Sequence, residues 1–574
     1  VSDSTPSVPA HLRGWVVEQD YSQYNEVDQA VWRFVLLQTY SRLVDTAHRA
    51  YRDGLAATGI SVERIPSIKE MNDKLSVFGW SAVCVDGFIP PRAFQELQGS
   101  GILPIAADIR TREHLVYTPA PDIIHEAAGH APILPDPVYS AYLRRSGELG
   151  RQAFTLPEDD RVFRAIYLLS EVKEDPSKSP DEVAQAELEL QAALASVPFA
   201  SEATRLSRFY WWTAEYGLVG RLDDYKIYGA GLLSSLWESY SCHAPSVRKL
   251  PLDEHSADVA YDITRPQPQL FVVPSFEVLH DTLDRVTRTL AVHIGGEVAL
   301  TRALRSRALA TLQFSSGASA IGALADVGPS LREPGWMDFE GRVAIAYYGV
   351  IDPACEQVDA PTLLVGRLAD GADLERASDS ALDQLRPTAG GRHRFAFSTG
   401  ATLQGRLERS VRDVHGRLRR LDLSDVRLEI PGRRPRALPR YALIPLGEFV
   451  TAHAGAVDPR YHPDTTFSST RVPKARRLPN REKQLLAFYE SARTAHRAGL
   501  EQMDLEFPRI GSLIERDYPD EWLLRWNMLE SLLKAGRGGP LTSSLRAALE
   551  RLELQFDHRQ PIASGLRYLA DRVG

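Results

Sequence analysis

Two histidines five residues apart, His125 and His130 in the run YTPAPDIIHEAAGHAPIL (117–134), have the clearest capacity for chemistry in this chain. A neutral imidazole offers one lone pair to a metal ion, and two of them need only a carboxylate to complete a facial set with positions left open. Glu215, in the aromatic run YWWTAEYGLVG, is the candidate third ligand. Among Tyr210, Trp211, Trp212 and Tyr216 a buried carboxylate is costly unless a cation or metal compensates it. Arg205 or Arg208 could do that as an ordinary salt bridge. A two-histidine, one-carboxylate set is the ligand field of non-haem Fe(II) oxygenases, which take dioxygen and a reductant at the open positions. HEAAGH is not the HExxH zinc motif, in which residues i and i+4 share a helix face. Residue i+5 is turned about 140° further than i, so the rings converge only where the helix ends or bends. Gly129 would permit a bend and Pro132 would stop the helix. From spacing alone, a satisfied pair of core or surface histidines competes with the metal reading.

The elements that must position these residues read as mainly helical up to about residue 290. Val27, Val31, Phe34, Val35, Leu37 and Val44 recur at near-helical spacing, which predicts one long amphipathic helix from Asn25 to Ala57, ending around Gly59, after a loose arm over residues 1–20. RIPSIKEMNDKLSVFGW predicts a proline-led helix, and SAVCVDGFIPPRAFQEL an extended piece, a double-proline break and another helix. Residues 158–200 read as a charged helical insertion on the surface. Helices are expected over 203–216 and 229–240, with strand signal before 290 confined to LFVVPSF. From 305 to 450 the segments RVAIAYYGV, APTLLVGRLA, HRFAFSTGATLQGRLER and LRRLDLSDVRLEI are short and turn-bounded, as in a β-rich domain. PGRRPRALPRY reads as a loop near 431–441, and 451–574 as a mainly helical C-terminal region. The expected layout is a mainly α catalytic unit over 21–300, a β-rich domain and a helical tail.

Composition narrows the function. The 574 residues are 44% hydrophobic with a net charge of -8, which supports ordered cores and argues against bulk nucleic-acid or membrane binding. Cys84, Cys242 and Cys355 are too few and scattered for a disulfide framework. VSDSTPSVPAHLRGW has no apolar signal region and no run of 18 apolar residues occurs, so the expected location is the cytoplasm. The basic cluster RVPKARRLPNREK (471–483) lacks interleaved aromatics and reads as a solvated loop face.

Three runs in register carry a resemblance: YTPAPDIIHEAAGHAPIL from Tyr117, WWTAEYGLVG from Trp211 and YGAGLLSSLWE from Tyr228. They resemble the YTPEPDxxHExxGHxPL, WFTxEFGL and YGAGLLSS runs of the tetrahydropterin-dependent aromatic amino acid hydroxylases, the phenylalanine, tyrosine and tryptophan monooxygenases. Weaker likeness runs through RIPSIKEMNDKL, FIPPRAF and DITRPQPQLFVVPSF, so residues 20–290 are covered. The resemblance implies that His125, His130 and Glu215 ligate Fe(II). It implies that Arg110 grips the amino acid carboxylate, steadied by Asp122, and a guanidinium fork suits that head group. Thr118, Trp211 and Ser234 match residues on the substrate side, Pro119 and Trp211 would wall the ring, and Ser234 is placed to orient a ligating histidine. Phe94 matches an aromatic that stacks on the pterin, and Glu126 a carboxylate near the pterin ring. The implied activity is ring hydroxylation of an aromatic amino acid, foremost L-phenylalanine to L-tyrosine, with Fe(II), tetrahydropterin and O2.

This sequence departs from the family pattern in several places. From His130 to Glu215 is an interval of 85 residues, about twice the family's usual spacing, and the charged stretch near 171–197 accounts for the excess. Ala120 stands where the family has an acid, and Tyr216 where it has Phe. The half from about 300 onward matches no part of the family's catalytic domain; dimerisation, partner recognition and capping of the site are its candidate roles. The competing functions are a hydroxylase of tryptophan or a modified aromatic amino acid in biosynthesis, a non-enzymatic module reusing the fold, and a zinc hydrolase.

Overall fold

The computed structural model describes residues 7–87, 89–115, 121–174, 178–263, 265–351, 362–385, 391–457, 479–555 and 559–572. The start of the chain is not loose throughout: Ala10–Trp15 forms a 3-10 turn burying Leu12 and Trp15, and Val16–Val17 (β1) joins a sheet. Helix α1 (Glu26–Thr46) begins at a capping box, in which Asn25 accepts the Asp28 N–H and Asp28 returns the favour to Asn25. The long helix expected to run on to Ala57 breaks at Ala47–His48. There the His48 N–H donates to the Ile227 carbonyl at 2.7 Å, and its ring caps a separate helix, α2 (Arg49–Ala57). Nor is α1 amphipathic, since every residue from Gln29 to Thr39 is buried. A helix buried all round has partners on both faces, and the second partner comes from the far end of the chain.

Helix α3 (Ile68–Leu75), strand β2 (Ser81–Val85) and helix α4 (Pro91–Gly99) follow as the sequence suggested, and after them comes a strand it did not suggest, β3 (Ile102–Ala106). β2 is central, antiparallel to β1 and parallel to β3. Helix α5 (Pro137–Gln152) packs on α4. Helices α6 (Pro157–Glu174) and α7 (Pro180–Ala195) pack on each other around Leu169, Ala186 and Leu190, a small core of their own. After α8 (Glu202–Tyr210) come strands β4 (Leu218–Arg221) and β5 (Asp224–Ile227), then short helices α9 (Ala230–Ser234) and α10 (Glu238–Ser241). β6 (Arg248–Pro251) and β7 (Gln269–Val273) complete a sheet ordered β5-β4-β7-β6. β7 is the strand expected at LFVVPSF; the region holds more strand than its sequence suggested because β4, β5 and β6 are only four residues long and show little alternation. Helices α11 (Phe276–Thr287), α12 (Ala291–Ile294) and α13 (Gly296–Ser306) close this half.

The β-rich middle contains two sheets. β8 (Leu309–Phe314), β9 (Ala318–Pro329), β10 (Pro334–Tyr347), β11 (Val350–Ile351) and β12 (Thr362–Leu364) form the first, with β17 (Phe449–Ala454) added on β8. A short helix, α14 (Asp379–Gln384), leads to the second sheet, β13 (His393–Ala396), β14 (Thr402–Arg412), β15 (Leu418–Glu429) and β16 (Arg436–Leu443). The loop expected at 431–441 is thus half strand. β16 is an edge strand, where the missing N–H of exposed Pro439 disrupts no ladder.

The C-terminal helices are α15 (Asn480–Ala498), α16 (Leu500–Asp517), α17 (Leu523–Lys534), α18 (Pro540–Glu553) and α19 (Arg559–Arg572). They cover the outer face of α1. The Phe34 ring meets Trp522 and Trp526 edge-on at 5.1 and 4.6 Å, and buried Arg33 pairs with buried Glu530 at 2.6 Å. One continuous apolar cluster joins these helices to the catalytic unit. Most of the basic cluster, 471–478, lies outside the described residues. Among those described, no helix is long and apolar enough to cross a membrane.

Candidate active site

The winding of two short segments brings the metal-ligand candidates together. Ile124–His130 is a π-helix, and so is Trp211–Glu215. Each N–H of a π-helix reaches back five residues, so side chains five apart come close to one face. His125 and His130 therefore converge without the bend expected at Gly129, their ring centroids 5.1 Å apart and nearly perpendicular. In the second segment the Tyr216 N–H donates to the Trp211 carbonyl at 2.9 Å, and Glu215 turns inward. Its Oε2 lies 3.2 Å from His125 Nε2 and its Oε1 3.1 Å from His130 Nε2. One ligand atom from each residue falls within 4.8 Å of the other two.

Gly129 instead permits close approach. A methyl there would meet the Ala230 carbonyl oxygen at 2.7 Å, because α9 lies directly on the π-helix. Gly229, at the start of α9, similarly lets it pass the Glu215 carbonyl, 2.4 Å from where a Cβ would stand. Gly129→Ala should lower stability by about 1–3 kcal/mol, the scale of overpacking, where helix propensity alone would favour alanine. Urea unfolding checks the sign.

Helix α9 carries Ser234, whose hydroxyl donates to the Ala230 carbonyl at 2.8 Å and lies 3.1 Å from His125 Nδ1. With its own proton committed, Ser234 accepts from Nδ1–H, which makes Nε2 the atom turned toward Glu215 and the one free to ligate a metal. Arg205 and Arg208 do not neutralise Glu215. Arg205 pairs with Asp258 at 2.7 Å, and Arg208 donates to the Asp258 carbonyl.

The electrostatics match a cation site. Burial disfavours a charged His125, yet the adjoining Glu215 carboxylate outweighs it and raises the imidazole to about 9. Burial likewise works against the Glu215 anion, but His130 and His125 hold it well below the usual carboxylate range. Burial pushes Glu126 up to about 7 against the pull of both histidines, and its Oε2 stands 3.8 Å from His130 Nε2. Among the described residues, the buried His130 ring has no hydrogen bond beyond the approach of Glu215 to Nε2, and Glu126 Oε2 is buried without a hydrogen-bonding partner. Two imidazole nitrogens and a carboxylate, the inner imidazole otherwise unsatisfied, fit a divalent metal with N/O preference.

Beside this cluster, Arg110 and Asp122 form a buried fork. Arg110 Nε and Nη2 each donate to Asp122 at 2.8 Å, and the Arg110 N–H adds a third bond at 2.9 Å. Burial would raise Asp122, but the Arg110 guanidinium keeps it below the usual range. The same carboxylate accepts the His125 N–H at 3.0 Å, linking the arginine to the metal-ligand helix. Trp211 stacks on Tyr261 at 4.2 Å and 7°, with Tyr216 on it at 4.8 Å. The Tyr216 hydroxyl, absent from the family's phenylalanine, donates to Glu238 at 2.9 Å. Half-buried Phe94 on α4 lies 6.0 Å from the His130 ring and 6.1 Å from Tyr210. Thr118 and Pro119 lie outside the described residues. Sequence reasoning missed Tyr261, although it stands immediately before the DITRPQPQLFVVPSF run that carried weak likeness.

Comparison with known proteins places this geometry. A family model described as biopterin-dependent aromatic amino acid hydroxylase matches residues 18–164 and 181–295. A phenylalanine-4-hydroxylase of Pseudomonas aeruginosa is 30% identical over 266 residues, spanning 46% of this chain and 84% of that protein. One from Mesorhizobium japonicum is 28% identical over 271 residues, spanning 46% of this chain and 82% of that protein. Among solved structures, phenylalanine hydroxylase of Chromobacterium violaceum with bound iron(III) and 7,8-dihydrobiopterin has 25% identity and a TM-score of 0.38, covering 50% of this chain and 92% of its own. The residues passed over by the family model, 165–180, fall in the α6–α7 hairpin, and everything after 295 lies beyond it. With the motifs, the ligand geometry and the match in agreement, the chain belongs to the biopterin-dependent aromatic amino acid hydroxylases, monooxygenases that use iron, a tetrahydropterin and O2.

Proposed function

We propose that the substrate is L-phenylalanine and the product L-tyrosine, with His125, His130 and Glu215 holding the iron. The convergence of those three ligand atoms within 4.8 Å carries the metal assignment. The names of the Pseudomonas aeruginosa and Mesorhizobium japonicum relatives support the substrate. Catalysis is assigned to residues 21–300. Surfaces of the C-terminal half, beyond the family match, would serve any self-association or protein partner. The buried free thiols Cys84 and Cys242 suit a reducing cytoplasm.

In this reading the side chains position and the bound groups react. Iron and tetrahydropterin, when bound, supply the electrons that let O2 attack an aromatic ring, which no side chain can do. Arg110 receives the amino acid carboxylate. Among the described residues Asp122 and the Ser234 carbonyl engage three of its five N–H groups, Nε, Nη2 and Nη1, leaving one on each Nη for a second fork. Trp211, stacked on Tyr261 with Tyr216 tilted against it, walls the substrate ring. Thr118 and Pro119 would complete the substrate side. Phe94 offers its face to the pterin, and Glu126 a carboxyl that is readily protonated near neutrality. Ser234 fixes the His125 tautomer. Removing it as Ser234→Ala should weaken iron binding by about 10- to 100-fold, as for other partners of ligating histidines, measured by anaerobic Fe(II) titration.

The substrate assignment is tested by anaerobic Fe(II) loading and product analysis with phenylalanine, tyrosine and tryptophan, with and without tetrahydropterin and O2. Pterin-dependent tyrosine from phenylalanine is the expected result. Pterin oxidation without a hydroxylated product from any of the three would reject phenylalanine and point to another aromatic amino acid.

A further inference from the structure

We propose that Glu521, from the C-terminal helices, is a positioning residue for substrate binding: it holds Arg112 and thereby aims Arg110, two residues earlier on the same loop. The proposal rests on the reading of Arg110 as the carboxylate-binding group. It gives the C-terminal helices a task in the reaction that the family match, which ends at residue 295, does not contain.

Arg110 is fixed to Asp122, and the chain then turns through a single 3-10 turn, Arg112–His114. Arg112 Nη1 donates to Glu521 Oε2 at 2.5 Å, joining positions 409 residues apart in sequence. The two ends of this ion pair differ in character. The Glu521 side chain is 2% exposed and that of Arg112 35%. Glu521 Oε1 also accepts from the Tyr489 hydroxyl at 2.7 Å and from the N–H groups of Leu523 and Leu524 at 3.1 and 3.2 Å. Those donors belong to α15 and to the first turn of α17, so the carboxylate is anchored to two helices independently of Arg112. All three are neutral, and a buried anion needs a cation as well as hydrogen bonds. Arg112 supplies it from the catalytic unit. The segment that presents Arg110 is thus held at two points, Arg110 by Asp122 within the unit and Arg112 by Glu521 from the far end of the chain. Consecutive Cα atoms are about 3.8 Å apart, so movement at Arg112 is felt at Arg110 over roughly 7 Å at most. A misplacement of about 1 Å in a positioning group can cost up to about 100-fold.

The test uses the full-length, iron-loaded enzyme and the variants Arg112→Gln, Arg112→Lys, Glu521→Gln and Arg110→Gln. KM for phenylalanine, KM for tetrahydropterin, kcat and the inhibition constant of phenethylamine, which has the ring but no carboxylate, are compared. Arg112→Gln and Glu521→Gln should raise the phenylalanine KM about tenfold and leave the other three constants within about twofold, and Arg112→Lys should restore most of the loss. Arg110→Gln should raise the same KM further. If Glu521→Gln fails to fold, the more exposed Arg112→Gln decides the matter. A raised phenylalanine KM in Arg110→Gln beside an unchanged one in Arg112→Gln overturns the proposal alone. Equal losses for phenylalanine, pterin and phenethylamine overturn it too, since they would mark a merely structural contact. An unchanged KM in Arg110→Gln removes the carboxylate reading itself, and the proposal with it.

Discussion

Glu215→Ala is expected to abolish iron retention and hydroxylation together. The side chain is the single carboxylate in the three-residue cluster, and its oxygens stand 3.2 and 3.1 Å from the two imidazoles. Without it, two neutral nitrogens remain in a buried site, too few to fix a divalent ion's geometry or balance its charge. A metal's contribution of several kcal/mol to the reaction then disappears, so turnover should fall by at least about 1000-fold. Glu215→Gln should do nearly as badly, because the amide keeps the shape and loses the charge. Iron content after anaerobic loading and desalting is the direct readout, with tyrosine formation beside it. Coupled turnover retained in Glu215→Ala would remove Glu215 from the ligand set.

How legible the site was depends on which force placed each residue. His125 and His130 could be named because imidazoles at close spacing are rare and chemically pointed. Their convergence could not be derived, because an α-helical wheel turns i+5 away and nothing local in IIHEAAGH announces π winding. Gly129 was noticed for the wrong reason: its use is the 2.7 Å approach of Ala230, a contact 101 positions away in sequence. The spread of apolar residues on α1 gave a helix but not its break. That break depends on Ile227 accepting the His48 N–H, a long-range event. The all-round burial of α1 follows from Trp522 and Trp526, which periodicity within α1 cannot foresee. LFVVPSF signals β7, but β4, β5 and β6 are four residues long, too short for alternation to register. Glu521 shows the limit most plainly. As a sequence feature it is an ordinary acid before a helix, and only folding brings it to Arg112.

Asp122→Asn is expected to damage stability and catalysis through separate bonds of one carboxylate. One oxygen accepts the Arg110 N–H and Nε; the other accepts Arg110 Nη2 and the N–H of His125. An asparagine offers one oxygen and turns an NH2 toward a guanidinium that has only donors. The Arg110 side chain, 4% exposed, is left without its counter-charge. Breaking one side of a buried pair in this way costs about 3–5 kcal/mol, which urea unfolding at neutral pH should read. The pH dependence has a definite sign. Burial alone would raise Asp122, but Arg110 holds it below its ordinary value, so its contribution is complete above the unfolded-state carboxylate range. It is lost as pH falls through the lowered value, and the gap between wild type and Asp122→Asn should narrow in acid. The catalytic loss separates from the stability loss in a double variant. Arg110→Met with Asp122→Leu removes both charges and replaces them with apolar groups, which often restores stability where the single change does not. It should therefore unfold at higher urea than Asp122→Asn while still failing to bind phenylalanine, because no guanidinium remains for the carboxylate. Recovery of a wild-type KM in that double variant would show that the fork braces the fold and has no part in holding the substrate.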